Sequence, residues 1–346
     1  MAYLLQNTLT YTIPLLIVAL AGIFAERSGI INLALEGIMI LGAFVGVLVV
    51  YSFQKAGLFV KDQGQMLMWV ALGISAVAGA VFSLLLAFAS INLKADQTIG
   101  GTALNMLAPA LVLFLINIII NQNTLGMFTG DASSWFMLKK SDFGLGDVPV
   151  GELNLFQSVF MHKIYPTTFI CIILFIILSV ILYKTKFGLR LRACGENPQA
   201  AASLGINVYK MRYAGVIISG ALAGIGGFVY ALTTANCAST GDVAGFGFLA
   251  LAVMIFGNWK PLSTAGAAFL FGLCKCIAAG YSSIDINGDK IYALKDLGDR
   301  LKTAGIDPGS LFRILPFLIT LIVLAFTSKN SRAPKAEGIP YDKGSR

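Results

Sequence analysis

Polar side chains are scarce in the apolar runs of this sequence, so the few found there indicate what chemistry the chain can do. Residues 25–39 read Ala-Glu-Arg-Ser-Gly-Ile-Ile-Asn-Leu-Ala-Leu-Glu-Gly-Ile-Met, an apolar stretch interrupted by two glycines, the amide of Asn32 and the carboxylate of Glu36. A carboxylate at membrane depth is costly unless it is paired, close to an interface or beside water. A half-helix followed by a full crossing fits these constraints, so Asn32 and Glu36 read either as caps of a broken helix or as groups lining a watery cavity. Asn105, Thr233, Thr234 and Asn236 add amides and hydroxyls in or beside other apolar runs, able to hydrogen-bond the hydroxyls or base edges of a small solute. This is binding chemistry, and helix packing is the alternative use for each residue.

Patterns for bond-breaking chemistry are missing from the sequence. There is no phosphate-loop motif of Gly, four residues, Gly-Lys and Ser or Thr, and Gly220, Gly224, Gly226 and Gly227 fall in an apolar run where small residues four apart allow close helix packing. His162 is the only histidine and has no partners for a metal site. Cys171, Cys194, Cys237, Cys274 and Cys276 show no metal-ligand spacing and read as buried thiols. An intramembrane enzyme would need a nucleophile and a base, and no credible pair exists.

The elements that must position these residues are helices in a bilayer. The chain is 57% hydrophobic and 12% charged, with a net charge of +8, whereas an ordinary soluble domain carries roughly a quarter charged residues. An all-α, polytopic transmembrane helical bundle is expected. Taking about 20 apolar residues per crossing, the hydropathy predicts nine spans, near residues 4–24, 37–51, 66–89, 102–120, 164–183, 213–235, 243–257, 262–281 and 311–327. The second and seventh are short. The first has no basic residues before it and no small-residue cleavage pattern, so it reads as a retained span.

Basic residues set the expected orientation. If the loop 184–212 is cytoplasmic, alternation places Arg27, Lys94, Lys260 and the basic tail 329–346 on the same side, with the N-terminus outside and the C-terminus inside. Residues 1–328 then form the membrane domain, with external loops at 121–163 and 282–310. Within the second of these, residues 290–297 have the spacing of an interfacial amphipathic helix. Residues 247–254 faintly echo Leu33, Ala34 and Leu35 with the residues after them, in a span running the opposite way, as an inverted repeat would.

The loop 184–212 carries a second kind of candidate site. The order Asn197, Pro198, Gln199, Ala200, Ala201, Ala202, Ser203, Leu204, Gly205 predicts one short helix with Asn197 as its cap, Pro198 in its first turn and Gly205 as its stop. A capped, basic, non-membrane helix between two spans suits presentation to another protein, with a solvated loop as the plainer alternative. Ala201 is expected on the presented face.

Three separated strings carry a resemblance: 26–39, then Ala-Asp-Gln-Thr-Ile-Gly-Gly-Thr-Ala-Leu-Asn over 95–105, and Gly-Leu-Arg-Leu-Arg-Ala-Cys-Gly-Glu-Asn-Pro over 188–198. In this order they resemble the permease subunits of bacterial ABC importers for simple sugars, nucleosides and branched-chain amino acids, most of all the nucleoside and simple-sugar permeases. The resemblance implies a multi-pass protein of the bacterial cytoplasmic membrane that forms the pathway for a nucleoside or simple sugar delivered by an external solute-binding protein or lipoprotein. It implies that no cofactor is held in this chain, that ATP and Mg act on a separate ATPase subunit, that a second, homologous permease pairs with it, and that no nucleic acid is bound. Asn197 to Gly205 would be the coupling helix; the acidic residue usual in that helix is displaced here to Glu196, with Gln199 inside. Phe44 and Phe248 could stack on a purine or sugar face. The alternative class, a gradient-driven secondary transporter, usually places several ionisable residues in its spans, and here only Lys275 lies well within one.

Overall fold

The computed structural model describes residues 2–145, 154–280 and 333–342, with isolated positions at 148, 300–303, 307, 311, 314, 315, 317, 318 and 321. In chain order the helices are α1 (Ala2–Glu26), α2 (Leu35–Lys55), α3 (Gly64–Ala87, continued by a π-turn over Phe88–Asn92), α4 (Gln97–Ile120), α5 (Ala132–Trp135), α6 (Leu155–Phe160), α7 (Pro166–Lys184), α8 (Lys186–Glu196), α9 (Pro198–Ser203), α10 (Val208–Thr233), α11 (Phe246–Phe256) and α12 (Pro261–Gly280). Seven of them, α1, α2, α3, α4, α7, α10 and α12, are long and apolar enough to cross a membrane, and α11 is a shorter apolar helix. The described residues contain two isolated β-bridges, Leu125 with Ser239 and Leu138 with Ile164, and no strand.

Helix ends follow local chemistry. The Asp96 carboxylate accepts from the amides of Thr98 and Ile99 at 2.8 and 3.1 Å and starts α4, while Asn121 ends it in the left-handed conformation. Thr185 and Asn207 cap α8 and α10 in the same manner. At the centre, α10 packs against α1, α2 and α3. That approach depends on missing side chains: a Cβ on Gly42 would lie 2.4 Å from the Gly224 carbonyl oxygen, and one on Gly79 would lie 2.9 Å from Gly224 Cα. Gly224→Leu is therefore expected to prevent folding by overpacking this crossing. Detergent-solubilised protein should run as aggregate on size exclusion, and a monodisperse, active variant would refute the account.

Several expectations need adjusting. The second span is not short, because α2 runs 21 residues; α11, at 11 residues, is the short one. A half-helix ahead of α2 does not form, since residues 27–34 are turns and irregular chain. The loop 184–212 holds two helices, α8 and α9, rather than one. The ninth run, 311–327, falls largely outside the described residues, and 290–297 wholly so.

The described part of the basic tail is held against the bundle. Residues 333–342 lie across the end of the bundle that carries α8 and α9, hereafter the basic end. The Ala336 amide donates to the Gly195 carbonyl at 2.9 Å and the Gly338 amide to the Gly29 carbonyl at 3.3 Å. Arg212, 1% exposed, donates to the Ile339 carbonyl at 3.0 Å, Gln199 Nε2 donates to the Asp342 carbonyl at 2.8 Å, and Lys94 pairs with the Asp342 carboxylate at 2.9 Å. Tyr341 packs edge-on against Tyr209, with centroids 5.3 Å apart. Burial in this strap pushes the Glu337 carboxyl above its ordinary pKa.

Candidate solute pathway and coupling surface

Two chain breaks meet inside the bundle. In the first, Asn32 is fully buried; its Oδ1 accepts the Ala34 amide at 3.2 Å and its Nδ2 donates to Ser219 Oγ at 2.8 Å. Helix α2 then begins, and its Gly37 amide donates to Asn105 Oδ1 at 2.8 Å while Asn105 Nδ2 donates to the Leu33 carbonyl at 2.7 Å. In the second break, between α10 and α11, Asp242 Oδ1 accepts the Ala244 amide at 3.0 Å. Helix α11 starts at Phe246, and Gly245, Gly247 and Phe248 donate their amides to the Glu36 carboxylate at 3.0, 2.6 and 3.2 Å.

The first turn of any helix leaves its amides without intrahelical partners, and its dipole favours negative charge there. Glu36 supplies both needs for α11 from the start of α2. A Cβ on Gly247 would sit 2.5 Å from Glu36 Cα, so glycine is what lets the two helix starts approach this closely. Glu36 itself is 6% exposed; it functions in this conformation as a cap of the other helix, and Asn105 caps α2 in turn.

The remaining pathway candidates separate. Phe248 is 51% exposed beside the junction, whereas Phe44 is 2% exposed and packs in the core. Thr233, Thr234 and Asn236 sit at the end opposite the basic one. Thr233 donates to the Val229 carbonyl at 2.8 Å and lies 3.5 Å from Thr234 Oγ1. It lines a cavity of about 550 Å³ with Gln6, Thr10, His162, Tyr165 and Thr168. Asn236 Oδ1 accepts the Ala132 amide at 3.1 Å and so anchors the 121–163 loop. The structure thus brings Asn32, Glu36, Asn105 and Phe248 together and leaves the other four elsewhere. All five cysteines are buried. The native protein is accordingly expected to resist a membrane-impermeant maleimide, as read by intact mass, and labelling of the folded chain would contradict that burial.

The predicted cap and stop of α9 are both present: Asn197 Oδ1 accepts the Ala200 amide at 3.0 Å, Pro198 is the first helical residue and Gly205 has φ +79°. Its faces are assigned differently. Ala201 is 2% exposed and packs against Cys194, Val208 and Tyr341, because the strap and the start of α10 cover it. Gln199, Ala200, Ser203 and Leu204 form the open face, with Ala202 half-buried at its edge and Leu204 81% exposed. Ser203 Oγ closes the helix on the Ala200 carbonyl at 2.9 Å.

Glu196 connects this helix to the junction. Its carboxylate pairs with Arg27 at 3.5 Å, Arg27 donates to the Trp259 carbonyl at 3.3 Å, and the Trp259 indole donates to the buried Glu26 carboxylate. The Tyr183 hydroxyl reaches the same Trp259 carbonyl at 3.2 Å, and Arg192 stacks on the Tyr183 ring at 4.7 Å. Trp259 follows α11, so one rigid helix separates this knot from Glu36. Sequence reading missed Arg27, Glu26 and Trp259 as a unit, although an Arg flanked by the first break and a Trp just after the second short span were visible.

The chain matches the family described as branched-chain amino acid transport system, permease component, over residues 4–324. It is 38% identical to the nucleoside ABC transporter permease protein NupC of Lactococcus lactis over 98% of this chain and 96% of that protein. It is 39% identical to the guanosine ABC transporter permease protein NupQ of Bacillus subtilis over 100% of this chain and 98% of that one. A second L. lactis protein, the nucleoside ABC transporter permease protein NupB, is 25% identical over 78% of this chain and 71% of its own length. No solved structure matches.

Proposed function

Because the chain belongs to the family of permease components of branched-chain amino acid transport systems, a multi-pass membrane family, we propose that it is the membrane subunit of an ATP-driven ABC importer for nucleosides. The observation that carries the solute is identity of 38% and 39%, along nearly the whole chain, to a nucleoside and a guanosine permease. A second, homologous permease completes the pathway, as the resemblance to both NupC and NupB of one bacterium suggests. An external binding protein delivers the nucleoside, and ATP with Mg is used on a separate ATPase.

In this reading the basic end is cytoplasmic and the open face of α9 docks on the ATPase. Displacement of α9 pulls on Glu196, and the Arg27 and Trp259 contacts pass that displacement to α11. Helix α11 in turn holds Glu36 at the junction of the breaks. Coupling therefore travels through a contiguous set of polar contacts and one helix, with α11 as the element whose position both ends bias.

The test is uptake by the complete importer, with both permeases, ATPase and binding protein, in proteoliposomes. ATP-dependent accumulation of labelled guanosine, not competed by ribose or glucose, is expected. Sugar uptake without nucleoside uptake would overturn the solute, and uptake driven by an ion gradient without ATP would overturn the class.

A further inference from the structure

The geometry points to Asp242 as a solute-contacting carboxylate of the pathway, which we propose accepts hydrogen bonds from the vicinal ribose hydroxyls of a nucleoside whose base rests on Phe248. The substrate class rests on the nucleoside reading above; the assignment of Asp242 comes from a device that the chain uses twice. Asn32 accepts the amide of Ala34 just before α2, and Asp242 accepts the amide of Ala244 just before α11. Each turn is followed by a glycine, Gly37 or Gly247, at the point where its helix touches a neighbour. The turn needs one acceptor oxygen, and the first copy provides it with an amide.

A carboxylate in the second copy is therefore surplus to the turn, and its setting makes the surplus expensive. Asn32 is buried and its second polar atom is used by Ser219. Asp242 is exposed. Its depth is fixed by its neighbours: a Cβ on Gly241 would lie 2.9 Å from Leu113 Cγ and 3.4 Å from the Pro109 carbonyl oxygen, and Gly245 donates to Glu36. Pro109 and Leu113 belong to the middle of α4, an apolar helix of crossing length. A charge there cannot face hydrocarbon without a large penalty, so the side of the protein bearing Asp242 faces water or a polar solute.

The surroundings select for a neutral, hydroxyl-rich solute with a flat ring. Lys275 Nζ is held at 3.3 Å from the Ala244 carbonyl and 4.9 Å from the Phe246 ring centroid, which places an ammonium beside the carboxylate's turn. A charged solute would meet a group of its own sign, whereas hydroxyls donate to the one and accept from the other. Phe248, in the first turn of α11 and 51% exposed, offers the apolar face on which a base can stack.

The test uses the complete importer in proteoliposomes, with guanosine and 2′,3′-dideoxyguanosine as solutes, each rate normalised to occupancy of the binding protein. Because Asn32 shows that an amide makes the same turn, Asp242→Asn is expected to leave thermal unfolding unchanged. Guanosine uptake should fall about tenfold, the loss of roughly one charge-assisted hydrogen bond, while the already slow dideoxy analogue changes less than about twofold. In a second arm, Asp242→Cys should react with an impermeant thiol reagent, more slowly when guanosine is being transported. Equal losses for both solutes would assign Asp242 to packing or to pairing with the second permease and overturn the proposal, as would unchanged guanosine uptake or an unreactive cysteine. If the unaltered importer moves no guanosine, the nucleoside reading falls and this assignment with it; failure of the variants alone removes only the latter.

Discussion

Glu36→Leu is expected to reduce ATP-driven uptake to background and to lower the stability of the solubilised protein by on the order of 3–5 kcal/mol, since three amides lose their acceptor at about 1–3 kcal/mol each, less what water or relaxation restores. Gly245, Gly247 and Phe248 all donate to this one carboxylate, and no helical carbonyl can replace it at a helix start. Glu36→Gln keeps one acceptor oxygen but turns an N–H toward another N–H, so an intermediate loss is expected. Thermal unfolding and uptake measured together would show it. A Leu variant as stable and active as the unaltered chain would mean that α11 starts elsewhere when the importer is assembled.

Substitutions on α9 should divide by face. Leu204→Asp changes an 81% exposed side chain, so the spans should fold normally while association with the ATPase weakens by at least about 2 kcal/mol, roughly thirtyfold, as for a central interface anchor. Uptake and solute-stimulated ATP hydrolysis should both collapse. Ala201→Arg acts by another route, forcing a guanidinium into the space shared with Cys194, Val208 and Tyr341, and should cost about 3 kcal/mol or more in stability before any docking is attempted. Pull-down of the ATPase together with thermal unfolding separates the two. Loss of folding in both variants, or retained docking in Leu204→Asp, would remove the open face from the mechanism.

The contrast at α9 shows where sequence reading stops. Asn197, Pro198 and Gly205 mark the ends of a helix through local hydrogen bonds and φ preferences, which depend on neighbours a few residues away. Whether Ala201 or Leu204 faces outward depends on a strap that begins only at residue 333, and Ala-Ala-Ala has no periodicity to reveal it. The spans themselves were legible because hydropathy is a property of each segment, and α10's glycines signalled close packing for the same reason. The capping of α11 by Glu36 was not, since it joins residues 209 and more apart; the sequence showed only that a carboxylate stood where it needed a partner. Asp242 escaped notice because it lies at the edge of an apolar run, where an acidic residue looks like a loop.

The strap has a consequence for how the molecule is made. Residues 333–342 follow every described span in the sequence, yet they cover Ala201, tie Gln199 and fasten the Gly29 turn. During synthesis the bundle can therefore insert and fold with α9 still loose, and the face that the proposed function assigns to an ATPase is completed only after the ribosome has passed every described span. On that proposal, nascent chains with unfinished spans would lack a finished docking face, so order of translation alone would keep an ATPase from engaging an incomplete permease.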